Sequence, residues 1–381
     1  MKLLYSHRTR SADGQRVHIR GLTDALKARG VDVKIVGPRP GDNSLTATAS
    51  KPPTASFPRE GAEALYSLYG FYKLSKAARR FGPDVIYERY NLFYRAGMAL
   101  ARRRKIPFLL EVNAPLVEER AKTNGLKLKT LAQKMEQEIW TGADAIFSVS
   151  TPLAERIAGA GVDPARIHVT PNGVEPAFLQ PADPTPVRER FNLQENHLVL
   201  GFCGFVRDWH GVDRVVAAMA REVALRDARL LIVGDGPAVP GLRSAAASSN
   251  IGERIIVTGV VQREDMPAHI AAFDVALQPR VTAYASPLKL FEYMAQSRAI
   301  IAPDAPNISE IVRDQEHALL TPAGDDQAFG RALSALARSP DLRARLGAAA
   351  REELRRRDFT WAGAAARVEQ VASQMVRTGS K

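Results

Sequence analysis

Residues 285–295 read ASPLKLFEYMA. A serine and then a proline stand where a helix can begin, because a first-turn N–H has no intrahelical partner and proline lacks that N–H altogether. Ser286 is the expected N-cap and Pro287 the expected first helical residue. The first-turn amides of such a helix point outward with the positive end of its dipole behind them, which suits an anion. Lys289 adds a full charge to that end. Glu292, one turn on, is placed to accept from two adjacent hydroxyls, as a ribose offers. Phosphate beside ribose describes a nucleotide. The plainer account of the same residues is a surface Lys–Glu pair, which contributes about 0.2–0.5 kcal/mol.

On both sides of this stretch, short apolar or β-branched runs alternate with longer helical patterns, the signature of parallel-sheet α/β domains. The strand candidates of the first half are KLLYS, VDVKIVG, DVIYE, PFLLEV, DAIFSVS and RIHVT. Those of the second half are HLVLGFCG, ARLLIVG, RIIVTG, DVALQP, AIIAP and ALLTP. Amphipathic helical patterns cover 16–29, 117–140 and 359–375. Residues 38–58, rich in Pro, Ser, Thr and Ala, read as an extended mobile loop. After PNGV, the segment QPADPTPVRERFNL has three prolines and no sustained period, and it reads as an interdomain linker. The expected division is 1–180, 181–358 and a terminal helix over 359–381 that crosses back to the first domain. The expected fold class is α/β, with two doubly wound Rossmann-like domains facing across a cleft and ligands at the carboxyl ends of the strands.

The totals agree with this division. A chain of 381 residues exceeds one ordinary core, and 45% apolar with 25% charged residues is the balance of a soluble globular protein. No run approaches the roughly 18 apolar residues needed to cross a bilayer. The N-terminus MKLLYSHRTR has no apolar signal region, so a cytoplasmic location is expected. The single cysteine, Cys203, can form neither an internal disulfide nor a zinc cage and reads as a small core residue.

The net charge of +12 is unevenly spread: residues 1–180 carry 28 Lys and Arg against 17 Asp and Glu, and the remainder 25 against 24. A basic first half points to an anionic partner. ALYSLYGFYKLSKAARR, at 64–80, leads Tyr66, Tyr69, Phe71 and Tyr72 into Lys73, Lys76, Arg79 and Arg80, as an interfacial helix for acceptor or anionic-membrane contact would; a core helix with a solvated basic end is the equal alternative. RRRK at 102–105 adds charge to the same half. Nucleic-acid binding is not expected, because the aromatic residues form no stacking platform and no nucleic-acid motif is present.

RIHVTPNGV, LVLGFCGFVRDWHGVDRVVAAM, LLIVGDGP, VTGVVQREDMPAHIAAFDVALQP, SPLKLFEYMAQSRAIIAPDAPNISEIV and HALLTPAGD follow one another in a familiar order and spacing. In this the chain resembles the nucleotide-sugar-dependent glycosyltransferases of the retaining GT-B type, family four. The likeness is looser in the first half, where it rests on DGQRVH, VIYERYNLF and FLLEVNAPLVEERA.

The resemblance implies that the second domain binds a nucleoside diphosphate sugar, UDP-linked, and the first a glycan or lipid-linked acceptor. It implies no cofactor and no metal, and the chain carries no DxD triplet. Glu292 is implied to hold the ribose and the amides around Leu288 and Lys289 the diphosphate, with the loop GFVRDWHG gripping the phosphates from the other side. On this reading Arg207, His210, Lys289 and Glu292 carry the chemistry. Gly14, Gly204, Val260, Tyr284, Ser286, Pro287 and Leu288 line the donor, and His18, Glu111 and Asn113 meet the acceptor or the sugar, although Gly14 reads equally as an ordinary turn glycine and His18 more simply as a packed or solvated histidine. Glu310 is a lesser candidate, read more simply as a helix-start carboxylate, and GDGP at 234–237 reads as turn chemistry.

Three positions depart from the family pattern. Phe205 replaces an arginine, with Arg207 close enough to supply the charge. His210 replaces a lysine and is expected to be only partly charged at neutral pH. Tyr284, eight residues before Glu292, replaces a glutamate that touches the transferred sugar. A nucleotide-sugar epimerase on the same fold and a non-catalytic scaffold are the alternative readings.

Overall fold

Apolar strands, buried on both faces except at edges such as β2 and β6, build two six-stranded, all-parallel sheets in the described residues. The structure, a computed structural model, describes residues 1–9, 14–38, 55–123 and 125–379. The first sheet has the order β2-β1-β3-β4-β5-β6. Its strands are β1 (Lys2–Ser6), β2 (Asp32–Val36), β3 (Val85–Arg89), β4 (Phe108–Val112), β5 (Ala145–Ser148) and β6 (Ile167–Val169). The second has the order β12-β11-β10-β7-β8-β9. It comprises β7 (Val199–Cys203), β8 (Arg229–Val233), β9 (Ile255–Val257), β10 (Val275–Leu277), β11 (Ala299–Asp304) and β12 (Leu319–Pro322). Each of the twelve apolar runs picked out in the sequence is a strand.

The chain divides into two compact units. One comprises Met1–Pro171, Tyr284–Ser286 and Trp361–Lys381; the other comprises Asn172–Ala283 and Pro287–Thr360. The crossing thus falls at Pro171, and the proline-rich segment expected to be a linker lies inside the second unit. It follows the turn Pro176–Leu179 and folds into the helix Thr185–Arg190; Val187 and Leu193 within it, and Phe178 just before it, are buried in that unit's core. Those apolar anchors outweigh the prolines, which at the first positions of a helix cost it nothing.

In the second unit, strand residues alternate between two cores. Leu200, Phe202, Leu230, Ile232, Leu277 and Ile301 face the helix Val212–Arg221 and its neighbours. Val199, Cys203, Leu231, Ala276 and Ile300 face the other way, where Leu290, Phe291 and Met294 of the helix Leu288–Ala295 cover them. The Tyr293 hydroxyl pins this helix to the sheet by accepting from the Cys203 N–H at 3.1 Å and donating to the Leu277 carbonyl at 3.3 Å.

In the first unit, the terminal helix Trp361–Gly379 packs on the helix Gly14–Ala28. Arg29 pairs with Glu369 at 2.6 Å, and the Trp361 ring lies so close to Gly21 that any Cβ there would overlap it. The pattern over 117–140 resolves into two helices, Leu116–Thr123 and Lys129–Thr141. The chain is interrupted at Gly125 (φ 73°), and the buried Glu60 carboxylate accepts from the Lys127 and Leu128 N–H groups at 3.1 and 2.6 Å.

Most of the segment read as a mobile loop, residues 39–54, lies outside the described residues. Its end is helical: the helix Phe57–Phe81 takes in Phe57 and Pro58, with the proline in the first turn. Tyr66 and Phe71, named among the aromatic residues of an interfacial helix, pack inward against the core, as the core-helix alternative has it. The outward residues are Phe57, Leu65, Leu68, Tyr69 and Tyr72, each more than half exposed. The spacing of Leu65, Leu68, Tyr69 and Tyr72 places them on one side of the helix, above the turns that carry Lys73, Lys76, Arg79 and Arg80. No helix among the described residues is long and apolar enough to cross a membrane.

Candidate functional site

The helix of residues 285–295 begins one residue later than expected. Pro287 is its N-cap, held extended at φ −73° and ψ 116°, and Leu288 is the first helical residue. Leu290 N–H already donates to the Pro287 carbonyl at 3.0 Å, which leaves the amides of Leu288 and Lys289 ahead of the first helical bond. Ser286 is buried and groups with the first unit, so it is not the cap.

Lys289 and Glu292 stand one turn apart because both reach the end of β7. The Lys289 Nζ sits over the Phe202 ring, 3.8 Å from its centroid. It would lie 3.6 Å from a Cβ placed on Gly204, a residue at φ 121° that only glycine holds without strain. Glu292 is 4% exposed, with its Oε2 3.8 Å from the Cys203 thiol. Burial pulls the Lys289 ammonium down to about 8. Burial and the neighbouring Glu292 push the Cys203 thiol up to about 12, which makes it a poor nucleophile.

The loop beyond Gly204 is stacked on the loops after β8 and β9. Gly204 N–H donates to the Val233 carbonyl at 2.9 Å, Val206 N–H to Asp235 at 2.9 Å, and Gly234 N–H to the Thr258 hydroxyl at 3.3 Å. The glycines of GDGP therefore serve close approach as well as turning. A Cβ on Gly234 would overlap the Gly204 carbonyl oxygen, and one on Gly236 the Val206 carbonyl oxygen. Val260 follows Gly259 (φ 73°) in the third of these loops and is exposed. Arg207 is exposed, with its guanidinium 5.0 Å from the centre of the Phe205 ring.

His210 departs from expectation in its charge. It is 8% exposed, and its Nδ1 accepts from the Arg207 N–H at 3.1 Å, which puts the ring proton on Nε2. Burial, then Lys289 and Arg207, pull it down to about 3. His210 is a neutral donor at pH 7, not a partial cation.

The first unit gathers His18, Glu111 and Asn113. Glu111, the penultimate residue of β4, is 2% exposed and accepts from Asn113 Nδ2 at 2.6 Å, from the Tyr5 and Tyr87 hydroxyls at 3.2 Å each, and from the Arg89 guanidinium. His18 Nε2 lies 3.0 Å from the same carboxylate, and its ring meets the Trp361 ring edge-on at 4.9 Å. Burial alone would raise this carboxyl, but His18 and Arg89 outweigh it and hold Glu111 well below the usual range. Glu88, one strand over, has Ser6 Oγ and Gly97 N–H at 2.9 Å, and burial pushes it up to about 8. Glu88 lies level with Leu110 and Arg89 with Glu111, so the two carboxyls of β3 and β4 point to opposite faces of the sheet.

The remaining candidates are dispersed. Gly14 is the first residue of the helix Gly14–Ala28. Tyr284 is held within the first unit: its hydroxyl donates to Glu119 at 3.0 Å, Arg156 lies over its ring at 5.4 Å, and Ser150 Oγ donates to its carbonyl at 2.7 Å. It does not join Lys289 and Glu292 in the second unit. Glu310 follows the helix Pro306–Ser309 and caps its C-terminus, so the helix-start reading fails.

Residues 12–178 match the model of Glycosyltransferase Family 4, and residues 197–339 match that of Glycosyl transferases group 1. The chain belongs to the group 1 glycosyltransferases. It is 27% identical over 390 residues to the D-inositol 3-phosphate glycosyltransferase of Stackebrandtia nassauensis, covering 93% of this chain and 85% of that one. It is 35% identical over 155 residues to the phosphatidyl-myo-inositol mannosyltransferase of Mycobacterium leprae, covering 41% and 40%. Among solved structures, sucrose-phosphate synthase from Thermosynechococcus elongatus superposes with a TM-score of 0.78 at 20% identity, over 99% of this chain and 100% of that one. Anabaena HepE in complex with UDP gives 0.75 at 15%, over 98% and 100%. The fold of this glycosyltransferase is therefore GT-B.

Arg263 and Glu175 of the glycosyltransferase escaped the sequence reading. Arg263 Nη2 lies 2.7 Å from Glu292 Oε1 and 2.6 Å from Glu175 Oε2, and its Nε donates to Glu175 Oε1 at 3.0 Å. Their partners are remote in sequence, so no local spacing marks them. Arg89 was closer to detection, since a Glu-Arg pair ending the apolar strand VIYER is a departure from pattern that signals a polar sheet edge.

Proposed function

We propose that this glycosyltransferase moves a sugar from a nucleoside diphosphate, UDP in the first instance, to a glycan or lipid-linked acceptor with retention of configuration. The observation that supports it is the convergence of the Leu288 and Lys289 amides, the Lys289 ammonium and the Gly204 turn at one end of β7, with Glu292 one turn deeper. As the glycosidic bond breaks, charge grows on the leaving diphosphate, and aligned amides with a nearby cation stabilise it. His210 adds a neutral donor and Arg207 an exposed charge. Glu292 takes the ribose hydroxyls, and the acceptor attacks on the face the diphosphate leaves, so no protein nucleophile is assigned.

The test is a melting-temperature screen of UDP, ADP, GDP and their sugars, since a ligand bound only by the folded state raises the midpoint. Stabilisation by at least one of them, and transfer that persists in excess EDTA, are expected. No response to any diphosphate would overturn the donor assignment, and activity abolished by EDTA would overturn metal independence.

The acceptor side is proposed to work at the cytoplasmic membrane face. Support comes from the apolar side of the helix Phe57–Phe81 and the basic residues of its last turns, which together suit an anionic leaflet. Cosedimentation with vesicles containing phosphatidylglycerol should fall several-fold in a Leu68→Ser, Tyr72→Ser variant and decline with salt. Equal sedimentation of both proteins would remove the helix from this role.

A further inference from the structure

A carboxylate that grasps two hydroxyls must be held in one orientation, and Glu292 has a device for this. Arg263 brackets it against a second carboxylate: one edge of the guanidinium makes two bonds to Glu175, and the Nη2 that serves Glu175 also meets Glu292 Oε1 at 2.7 Å. The guanidinium carbon lies over the buried Phe178 ring, 4.4 Å from its centre. Burial alone would lower Arg263, but Glu292 and Glu175 outweigh it, so the cation is firmly held.

Two carboxylates share this one guanidinium, and the Lys289 ammonium also acts on Glu292. Glu292 Oε2 faces the Cys203 thiol at 3.8 Å, a weak donor. A strong acceptor fixed at one oxygen and weakly served at the other fits neutral hydroxyl donors better than an anion. Glu175 anchors the far edge of the guanidinium, so Arg263 cannot swing away with the ligand.

We propose that Arg263, anchored by Glu175, is the positioning residue that fixes Glu292 for the ribose hydroxyls of the donor. This rests on the nucleotide reading given above and adds the residue that sets its sugar selectivity. Arg263 itself touches no substrate. Its loss lets Glu292 turn, and the preference for a ribose over a deoxyribose fades even where the diphosphate is still held.

The experiment is calorimetric titration with the nucleoside diphosphate that most raises the melting point in the screen, and with its 2′-deoxy counterpart. Wild type is expected to prefer the ribose form at least tenfold. Arg263→Met is expected to bring the two within twofold of each other, Arg263→Lys to recover part of the preference, and Glu175→Gln to fall between. If Arg263→Met fails to fold, as judged by its melting curve, Glu175→Gln carries the same comparison. An unchanged ratio in the variants overturns the positioning role and leaves the donor reading standing. A wild type that binds the diphosphate without distinguishing the sugars overturns the role of Glu292 as well, and one that binds no diphosphate overturns both.

Discussion

Lys289→Ala should lower kcat/KM for the donor by about 100- to 1000-fold, the usual loss when one preorganised stabiliser of developing charge is removed, with little change in melting temperature. The fold holds this ammonium at a disadvantage, since burial over the Phe202 ring pulls it down to about 8. Removing it therefore relieves an unfavourable charge and leaves the core intact. The same residue sets a pH limb. Phosphate binds the protonated form, so the bound state raises the pKa and binding takes up a proton above pH 8. Donor kcat/KM should accordingly fall as pH rises through about 8, and Lys289→Met should lose that limb. A wild-type profile that stays flat from neutral pH to well above that value would remove Lys289 from phosphate binding.

Gly234→Ala should be the most damaging glycine change near the site. Gly234 sits at φ 138°, where a side chain costs about 1–3 kcal/mol in backbone strain alone. The new Cβ would also overlap the Gly204 carbonyl oxygen, and backbone has no rotamer by which to yield. Gly204 must move, and the turn beside Lys289 moves with it. Both the melting temperature and donor affinity are expected to drop. Gly241→Ala is the control: it lies in the helix Val239–Ser248, where a Cβ would meet open space, and alanine there should stabilise by about 0.5–1 kcal/mol. If Gly234→Ala matched Gly241→Ala in melting temperature and donor affinity, the close packing of these loops would have no functional weight.

The strands were legible because parallel sheets bury both faces and so write themselves as unbroken apolar runs between Gly and Pro. The boundary was not. Three prolines near 180 mimic a linker, while the decisive residues, Phe178 and Val187, are single apolar side chains whose burial depends on the rest of the second unit. Lys289 and Glu292 could be read from spacing, since one helix carries both. Arg263 could not, because its bonds to Glu175 span 88 positions and arise only when the sheet brings the loops together. His210 shows a third limit: sequence supplies the imidazole, but its charge follows from burial and from an N–H three residues away. At Glu111 the strand end was visible, whereas donors arriving from β1, β3 and the helix Gly14–Ala28 were hidden in the topology.

The first unit is completed by the helix Trp361–Gly379, which follows the second unit in sequence. On the ribosome, Trp361–Gly379 emerges after every residue of the second unit. Until then Gly21 has no indole against it, His18 lacks its aromatic neighbour, and Arg29 waits for Glu369. A fragment ending at 180 would expose that helix face to water, so excising the amino-terminal half as one continuous piece yields a different object from the unit in the intact enzyme. Dissecting the two halves requires grafting the helix Trp361–Gly379 back onto the first, and synthesis of the second unit precedes completion of the first.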